Sequence, residues 1–320
     1  MNSHTGNRNR FCRRKGFDLI DYVTTSGIGG QYVKAINNAD MTTEGLEISL
    51  NTTNIQTDNF SWNTTVNFSV FDQEITKLQD RPDVLDLVDL TGGNVIGYPR
   101  NSLFSFDFEG LNSQGLPTFN IPGNNKITGA NFQDNENITD YLIYEGSVEP
   151  NHSAGLSNTF NYKNWSLNFF ISSSWGNKIR LKPTYSSTYS DLDVFTKDYA
   201  NRWLLPGDEN STNIPVIADR RLVEQNPNLN RAYNAYNYST QRVADGGFVR
   251  MKNISLSYNF PSELLDKLGV NTFSLKLLTT NPFLIYSDDK LNGQDPEFFL
   301  SGGVAYPILK QYTLSLNLSI

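Results

Sequence analysis

The feature that most limits what this 320-residue chain can fold into is a two-residue hydrophobic period. It recurs in separate stretches joined alternately by very short and very long connections. Residues 45–55 place Leu46, Ile48 and Leu50 on one face and Glu47, Ser49 and Asn51 on the other. Residues 60–68 place Phe60, Trp62, Thr64, Val66 and Phe68 together, after a break of only a few residues. A second hairpin alternates through Ala154, Leu156, Asn158, Phe160 and Tyr162, turns at Lys163-Asn164, and returns through Trp165, Leu167, Phe169 and Ile171. Phe248, Arg250, Lys252, Ile254, Leu256 and Tyr258 alternate, as do Tyr312, Leu314, Leu316, Leu318 and Ile320. These patterns predict crossings over 17–24, 44–55, 60–72, 152–163, 165–177, 247–259, 272–280 and 308–320. A soft segment, 98–121, supplies two more or none. A short helix is expected at 262–268, between Pro261 and Gly269.

The connections sort by length. With 45–55 running downward, the turns at 56–59, 163–164 and 261–269 fall on one rim. The long Asn/Gly/Pro/Asp-rich segments 72–97, 111–151, 177–246 and 281–307 fall on the other. Short turns on one rim and long loops on the other are the mark of a membrane-spanning β-barrel, here eight to ten antiparallel strands of an all-β fold. A soluble two-sheet protein, such as a secreted carbohydrate-binding module or adhesin, needs no such segregation, but its strands would alternate equally well.

Composition narrows the function classes. Charged residues are 18%, aromatics 12%, and there are 39 Asn. A net charge of −7 with one basic cluster, Arg8 to Lys15, argues against a nucleic-acid-binding face. One cysteine, Cys12, excludes a disulfide framework, and two histidines, His4 and His152, exclude a His-rich metal centre. No stretch approaches 18 consecutive apolar residues, which argues against a transmembrane helix and says nothing of strands. The first 15 residues lack an apolar core, so no signal peptide of the chain's own is expected.

No P-loop, GxGxxG, HExxH or nucleophile elbow is present. The stretch from Asp288 to Glu297 fails the EF-hand pattern, with Lys290 and Phe299 at ligand positions. Asp191 with Asp193, or Glu145 with Glu149, could be paired carboxylates for glycoside hydrolysis, but such pairs arise by chance among 33 acidic residues. The expectation is no enzyme, no metal and no cofactor. Tyr185, Tyr189, Tyr199, Trp203, Tyr233, Tyr236 and Tyr238 all fall in 177–246. Flat rings there would stack on a ligand or meet a covering protein, or else pack the loop's own small core. Trp62, Trp165 and Trp175 lie near strand ends, where aromatic girdles belong.

Scattered motifs carry a family resemblance. Residues 38–47 (NADMTTEGLE) and 60–69 come first, followed by Glu149-Pro150, Ala154-Gly155-Leu156 and Tyr162-Lys163-Asn164. Arg202-Trp203 with Pro206-Gly207-Asp208 follows, then 245–254 (DGGFVRMKNI), Asn281-Pro282-Phe283, Asp295-Pro296-Glu297 and Tyr306-Pro307. In this order they resemble the C-terminal part of SusC/RagA-type TonB-dependent outer-membrane transporters. The resemblance implies a part of a 22-strand barrel in the outer membrane of a Gram-negative cell. It implies glycan or oligopeptide substrates, a SusD-like surface lipoprotein as lid, and energy from TonB through an N-terminal part with a plug. Residues 1–15 match nothing, so the expected division is an unmatched start at 1–15 and barrel from 16 to 320. On this reading the chain is truncated and not a functional transporter alone.

Overall fold

The computed structural model describes residues 5–24, 33–123, 126–189, 196–299 and 309–319. In chain order its elements are strands β1 (Thr5–Thr24), β2 (Val33–Gln56) and β3 (Phe60–Leu78), then helix α1 (Val84–Val88). Short strands β4 (Ser102–Phe106), β5 (Phe108–Leu111), β6 (Pro117–Phe119) and β7 (Leu142–Ser147) precede β8 (His152–Tyr162) and β9 (Trp165–Trp175). Then come β10 (Lys178–Arg180), α2 (Arg220–Gln225), α3 (Leu229–Asn237), β11 (Val243–Asp245) and β12 (Phe248–Asn259). Helix α4 (Ser262–Leu268), β13 (Thr272–Tyr286) and β14 (Gln311–Ser319) complete the chain.

Eight long strands form one sheet in the order β1-β2-β3-β8-β9-β12-β13-β14, every neighbouring pair antiparallel. Sheet order follows chain order, so the wall is a meander. The turns β2–β3, β8–β9 and the α4 connection share one rim, and the connections after β3, β9 and β13 share the other. Among the described residues the sheet stays open, with β1 and β14 each paired on one side, and no second sheet stacks on it. Helix α4 spans the expected residues, and Gly269 ends it at φ 65° with its N–H on the Asp266 and Leu265 carbonyls.

The structure adds detail at three stretches. The stretch 5–15 is the first half of β1, in continuous register with β2 from Thr5↔Thr52 to Gly16↔Met41. The soft segment 98–121 does not cross: β4 pairs with β7, and β5–β6 is a small hairpin outside the wall. The alternation from Phe248 to Tyr258 is not one face. Both neighbours of β12 skip Lys252, a bulge between Met251 and Asn253. Phe248 and Arg250 therefore lie opposite Ser174 and Ser172, whereas Ile254, Leu256 and Tyr258 lie opposite Phe169, Leu167 and Trp165. One extra residue reverses the pleat, so cations and aliphatics that share a parity in sequence end on opposite faces. The Asp191/Asp193 pair, Tyr306-Pro307 and Ile320 lie outside the described residues.

The dry core is not in the wall. It lies in a lobe on the long-connection rim, where Leu87, Phe104, Phe106, Phe119, Ala232 and Tyr233 are buried together. The guanidinium of Arg180, fully buried, organises it. Nε donates to the Val88 carbonyl at 3.1 Å, Nη1 to that of Ser239 at 2.7 Å, and Nη2 to Phe104 O at 2.6 Å and Ser105 Oγ at 3.0 Å. One cation thus joins α1, β4 and the end of α3. Burial pulls its pKa down from 12.5 to about 9, while nearby Glu145 pushes the other way, so it remains charged at neutral pH. Arg180→Met leaves several buried acceptors unpaired. It should destabilise the lobe by roughly 3–5 kcal/mol. Amide exchange in β4 and α3 should accelerate while β8 and β9 keep their protection; unchanged exchange in α3 would contradict this.

Candidate functional site: the polar wall face and the loop lobe

Register sorts the wall into two unlike faces. One carries Leu46↔Val70, Ile48↔Phe68, Leu156↔Ile171, Phe160↔Leu167, Leu256↔Leu277 and Leu277↔Leu314 as cross-strand pairs. These side chains stand open: Leu277 is 48% exposed and Leu316 63%. A water-facing sheet does not leave so broad an apolar surface uncovered. Aromatic rings bound it at both ends. Near the short turns Trp62 stacks on Phe160 at 5.5 Å, Trp165 meets Tyr258 at 4.6 Å and Phe260 stacks on Phe273 at 4.4 Å. At the other end Trp175 stacks on His152 at 5.3 Å and touches Phe68. Trp165 and Trp175 are the two ends of the 11-residue β9. At ~3.3 Å per residue and a tilt of ~45°, they stand roughly 23 Å apart along the normal, close to the height of a barrel's apolar band. The polar Asn158 within this face is satisfied, since its Oδ1 accepts from Trp62 Nε1 at 2.8 Å and Thr64 Oγ1 at 2.7 Å.

The opposite face is hydrophilic, and its side chains bond across strands. Thr65 Oγ1 donates to Asn51 Oδ1, Asn161 Nδ2 to Ser61 Oγ and Asn168 Nδ2 to Thr159 Oγ1, all within 3.0 Å. This is one use of the abundant Asn. A recess of about 930 Å³ opens on this face, floored by Asn67, Ser153, Gly155, Phe170 and Ser172 and edged by Arg8, Arg10, Glu47 and Lys252.

Two motifs that the sequence leaves unconnected meet beside it. The β12 bulge presents Arg250 and Lys252, and the segment after β13 returns Asp295 and Glu297. Arg250 Nη2 donates to Asp295 Oδ1 at 2.5 Å, Arg250 Nε lies 2.8 Å from Glu297 Oε2, and Lys252 Nζ donates to Glu297 Oε1 at 3.0 Å. Arg250 and Asp295 are both nearly buried. The matching signal was in the sequence: two cations spaced i, i+2 and two carboxylates spaced i, i+2. The Asp288 region engages other partners. Asp288 accepts the N–H groups of Lys290 and Asp245. Among the described residues no three His, Cys, Asp or Glu side chains gather as a metal site. Glu149 accepts from Asn101 Nδ2, and Glu145 is half-buried in the lobe near Arg180.

The lobe holds the seven tyrosine and tryptophan side chains of 177–246. Tyr185, Tyr199, Tyr233 and Tyr236 are buried in its core, with Tyr189 and Tyr238 packed against them. Tyr185 stacks on Tyr199 at 4.7 Å and meets Tyr236 edge-on at 4.8 Å, with the Arg242 guanidinium 5.0 Å above its ring. Tyr189 and Tyr199 touch through their hydroxyls. Tyr233 Oη donates to the Val216 carbonyl at 2.6 Å, and Tyr238 packs edge-on against Phe132. Burial pushes the phenol pKa values of Tyr233, Tyr236 and Tyr185 up, so these rings stay neutral. Asn237 ties the neighbouring backbone: its Oδ1 accepts from Thr184 and Tyr185 N–H and its Nδ2 donates to Tyr185 O. Sequence reading missed Arg180, Arg242 and Asn237, because a polar side chain's burial has no periodic signature.

Trp203 sits to one side of this core. Gly115, at φ +74°, leaves the space its ring occupies: a Cβ there would come within 2.5 Å of the indole. Trp203 Nε1 donates to Glu209 Oε2 at 2.9 Å, and Asp208 Oδ2 accepts the N–H groups of Leu204 and Leu205. The result is a fixed turn that holds Leu204 and Leu205 out to solvent, 56% and 68% exposed.

Two outcomes are expected. Asp295→Asn leaves a buried Arg250 charge short of its partner, a cost of roughly 3–5 kcal/mol. Proteolysis within 287–299 should speed up while the β8–β9 hairpin is unaffected; an unchanged cleavage rate would show that the pairs do not hold the segment. At the Trp203 turn, hydrogen bonds from Leu205 and Leu204 hold the pKa of Asp208 below its usual value, and the bond from Trp203 does the same for Glu209. Lowered carboxylate pKa values stabilise the turn above the unfolded-chain values, and that contribution is lost as pH falls. Exchange protection at the Leu204 and Leu205 amides, corrected for intrinsic rate, should therefore fall away below about pH 4. Protection that persists to pH 2 would contradict it.

No protein-family model matches the chain. TonB-dependent receptor P3 of Formosa agariphila is 26% identical over 320 residues, which covers 92% of this chain and 30% of that receptor. TonB-dependent receptor P26 of the same organism is 27% identical, over 96% of this chain and 32% of the receptor. The RagAB peptide importer in its "closed-closed" state superposes on 99% of the chain with a TM-score of 0.75, at 22% identity and over 33% of that structure's chain. The "open-open" state gives 0.72. The chain thus spans about a third of the length of the relatives it matches. Over nearly its whole length the chain is thus similar in sequence to about a third of two proteins named TonB-dependent receptors, and its wall has the fold of the corresponding third of the RagAB transporter.

Proposed function

We propose that the chain supplies part of the wall and outer loops of an active nutrient importer in the outer membrane of a Gram-negative cell. The apolar face meets lipid, the polar face lines the lumen, and the lobe stands on the external rim. Substrates are glycans or oligopeptides, energy comes from TonB, and a SusD-like lipoprotein covers the external side. The observation that carries this reading is the apolar face bounded by two aromatic belts a bilayer's height apart, with the short turns beyond one belt and the lobe beyond the other. Within the lobe the ring cluster acts as a support. It fixes the outward side chains, among them Leu204 and Leu205, that would meet the lid or the substrate.

The reading is tested by single cysteines in a Cys12→Ser background in bilayer vesicles. Cysteines replacing Leu167 and Phe169 should react with a lipid-soluble maleimide and resist a water-soluble one. Cysteines replacing Ser166 and Ser172 should do the reverse. Equal reaction of both sets with the aqueous reagent would sink the membrane assignment and favour a soluble carbohydrate-binding sheet.

A further inference from the structure

We infer that residues 287–299 form an ionic latch: pairs with Arg250 and Lys252 hold this strap across the glycine joints where the neck of the lobe leaves the wall, and opening the pairs lets the neck tilt. The neck is the ribbon of β10 and β11, paired from Lys178↔Asp245 to Arg180↔Val243. It prolongs β9 and β12, whose own ladder stops at Ser174↔Phe248. Glycines stand at both joints. Gly176 has φ +91°, and a Cβ there would lie 1.8 Å from Asn151 Oδ1; a Cβ on Gly246 would lie 2.1 Å from Asn177 Nδ2. Bare backbone is therefore required where the two ladders meet, and it bends more readily than the strands on either side. Gly246 N–H reaches the Asn177 carbonyl at 3.0 Å, but Gly247 N–H turns to Asp245 Oδ1 at 2.7 Å instead of to the opposite strand.

The strap spans this joint. On the neck side, Asp288 Oδ2 accepts the Asp245 N–H at 2.7 Å, and Lys290 Nζ donates to the Val243 carbonyl at 3.0 Å. Leu291 and Phe299 are buried there with Ile179, Leu181 and Ala244. On the wall side the strap holds β12 through Asp295 and Glu297, set against Arg250 and Lys252. The two attachments differ in kind: a small apolar core fastens the strap to the neck, and charge fastens it to the wall. The Lys252 and Glu297 side chains are 27% and 25% exposed, so water reaches that pair. Desolvation offsets most of the attraction within a buried ion pair, so parting both partners into water costs little. When the pairs open, the strap stays on the neck and leaves the wall.

The α3 side of the lobe follows the neck. Arg180, the last residue of β10, donates to the Ser239 carbonyl just beyond α3, and Asn237 of α3 donates to the Tyr185 carbonyl. A tilt at the glycines therefore displaces α3 while the wall below keeps its ladders. The latch does not depend on the importer reading, which supplies only its setting. In that setting the joint stands on the external rim, and the latch governs how far the lobe leans over the mouth of the barrel. Because the releasable attachment is ionic, salt opens it and an apolar replacement does not.

The test is pulsed electron spin resonance on the complete receptor that carries this chain, cleared of native cysteines. Spin labels on Asp58→Cys and Asn234→Cys, both exposed positions, report the lobe against the wall. Labels on Asp58→Cys and Asp266→Cys, both on the short-turn rim, report the wall alone. At low salt the lobe distance should be single and narrow. A second population should grow as salt rises to about 1 M, where the screening length falls to about 3 Å. Asp295→Asn/Glu297→Gln should show that population at every salt concentration. The four-site variant Arg250→Met/Lys252→Met/Asp295→Leu/Glu297→Leu, which replaces charge by apolar contact, should stay closed and indifferent to salt. The wall distance should hold throughout. A lobe distance that never changes while the wall distance holds would overturn the latch, as would an equal salt response in the four-site variant. Where a variant loses the wall distance, the salt series on the unmodified strap decides by the same criterion. Vesicle labelling at Leu167 and Phe169 separates the two readings. A fixed lobe on a receptor whose apolar face meets lipid refutes only the latch, and a salt-driven tilt on one whose apolar face meets water refutes only the importer setting.

Discussion

Everything in this chain hangs on one requirement: in a lipid setting each peptide N–H and C=O must find its partner inside the sheet. The eight-strand meander meets it with continuous antiparallel ladders, some running more than fifteen residues, such as β1–β2 and β2–β3. The ladders shift register at bulges or irregularities, at Gly16/Leu19, Leu19/Ile20, Asp40/Met41, Thr53/Ile55, Val249/Arg250 and Met251/Asn253. The same requirement makes the two outer strands the exception, since β1 and β14 carry unpaired groups along one side among the described residues. Such edges call for further strands.

With the backbone settled by the ladders, the side chains are free to differ between faces. One face offers mainly aliphatic and aromatic surface, with its polar Asn158 satisfied by Trp62 and Thr64. The other links Asn, Ser and Thr across strands and keeps a wet recess. Arg250 shows how closely backbone and side-chain demands are coupled. The bulge at Lys252 both restores Ile254, Leu256 and Tyr258 to the apolar face and leaves Arg250 and Lys252 where Asp295 and Glu297 can reach them.

The lobe obeys a different rule. Its connections are too long to be held by ladders, so they bury a core of their own around interlocked tyrosine and phenylalanine rings. Ordering such loops costs conformational entropy that apolar burial must offset. Polar keystones then fix the geometry that greasy contacts alone leave loose: Arg180 with four acceptors, Asn237 around Tyr185, and Glu209 on Trp203.

The sequence alone determined the wall. A two-residue period is local, so Leu46/Ile48/Leu50 and Trp165/Leu167/Phe169/Ile171 announce both the strands and their apolar face, and Pro261 and Gly269 bracket α4 without reference to the rest of the fold. Connection length sorted the rims for the same reason. Only the tertiary structure decided where the parity breaks at Lys252, that 98–121 folds beside the wall, and that Arg250 and Asp295 meet across 45 residues. It alone packed the six tyrosines of 177–246 into one core and brought Arg8 and Arg10 beside strands β2, β3, β8 and β9. Those outcomes depend on contacts between segments far apart in the chain, and no local period records which distant partner satisfies a buried charge or covers a ring.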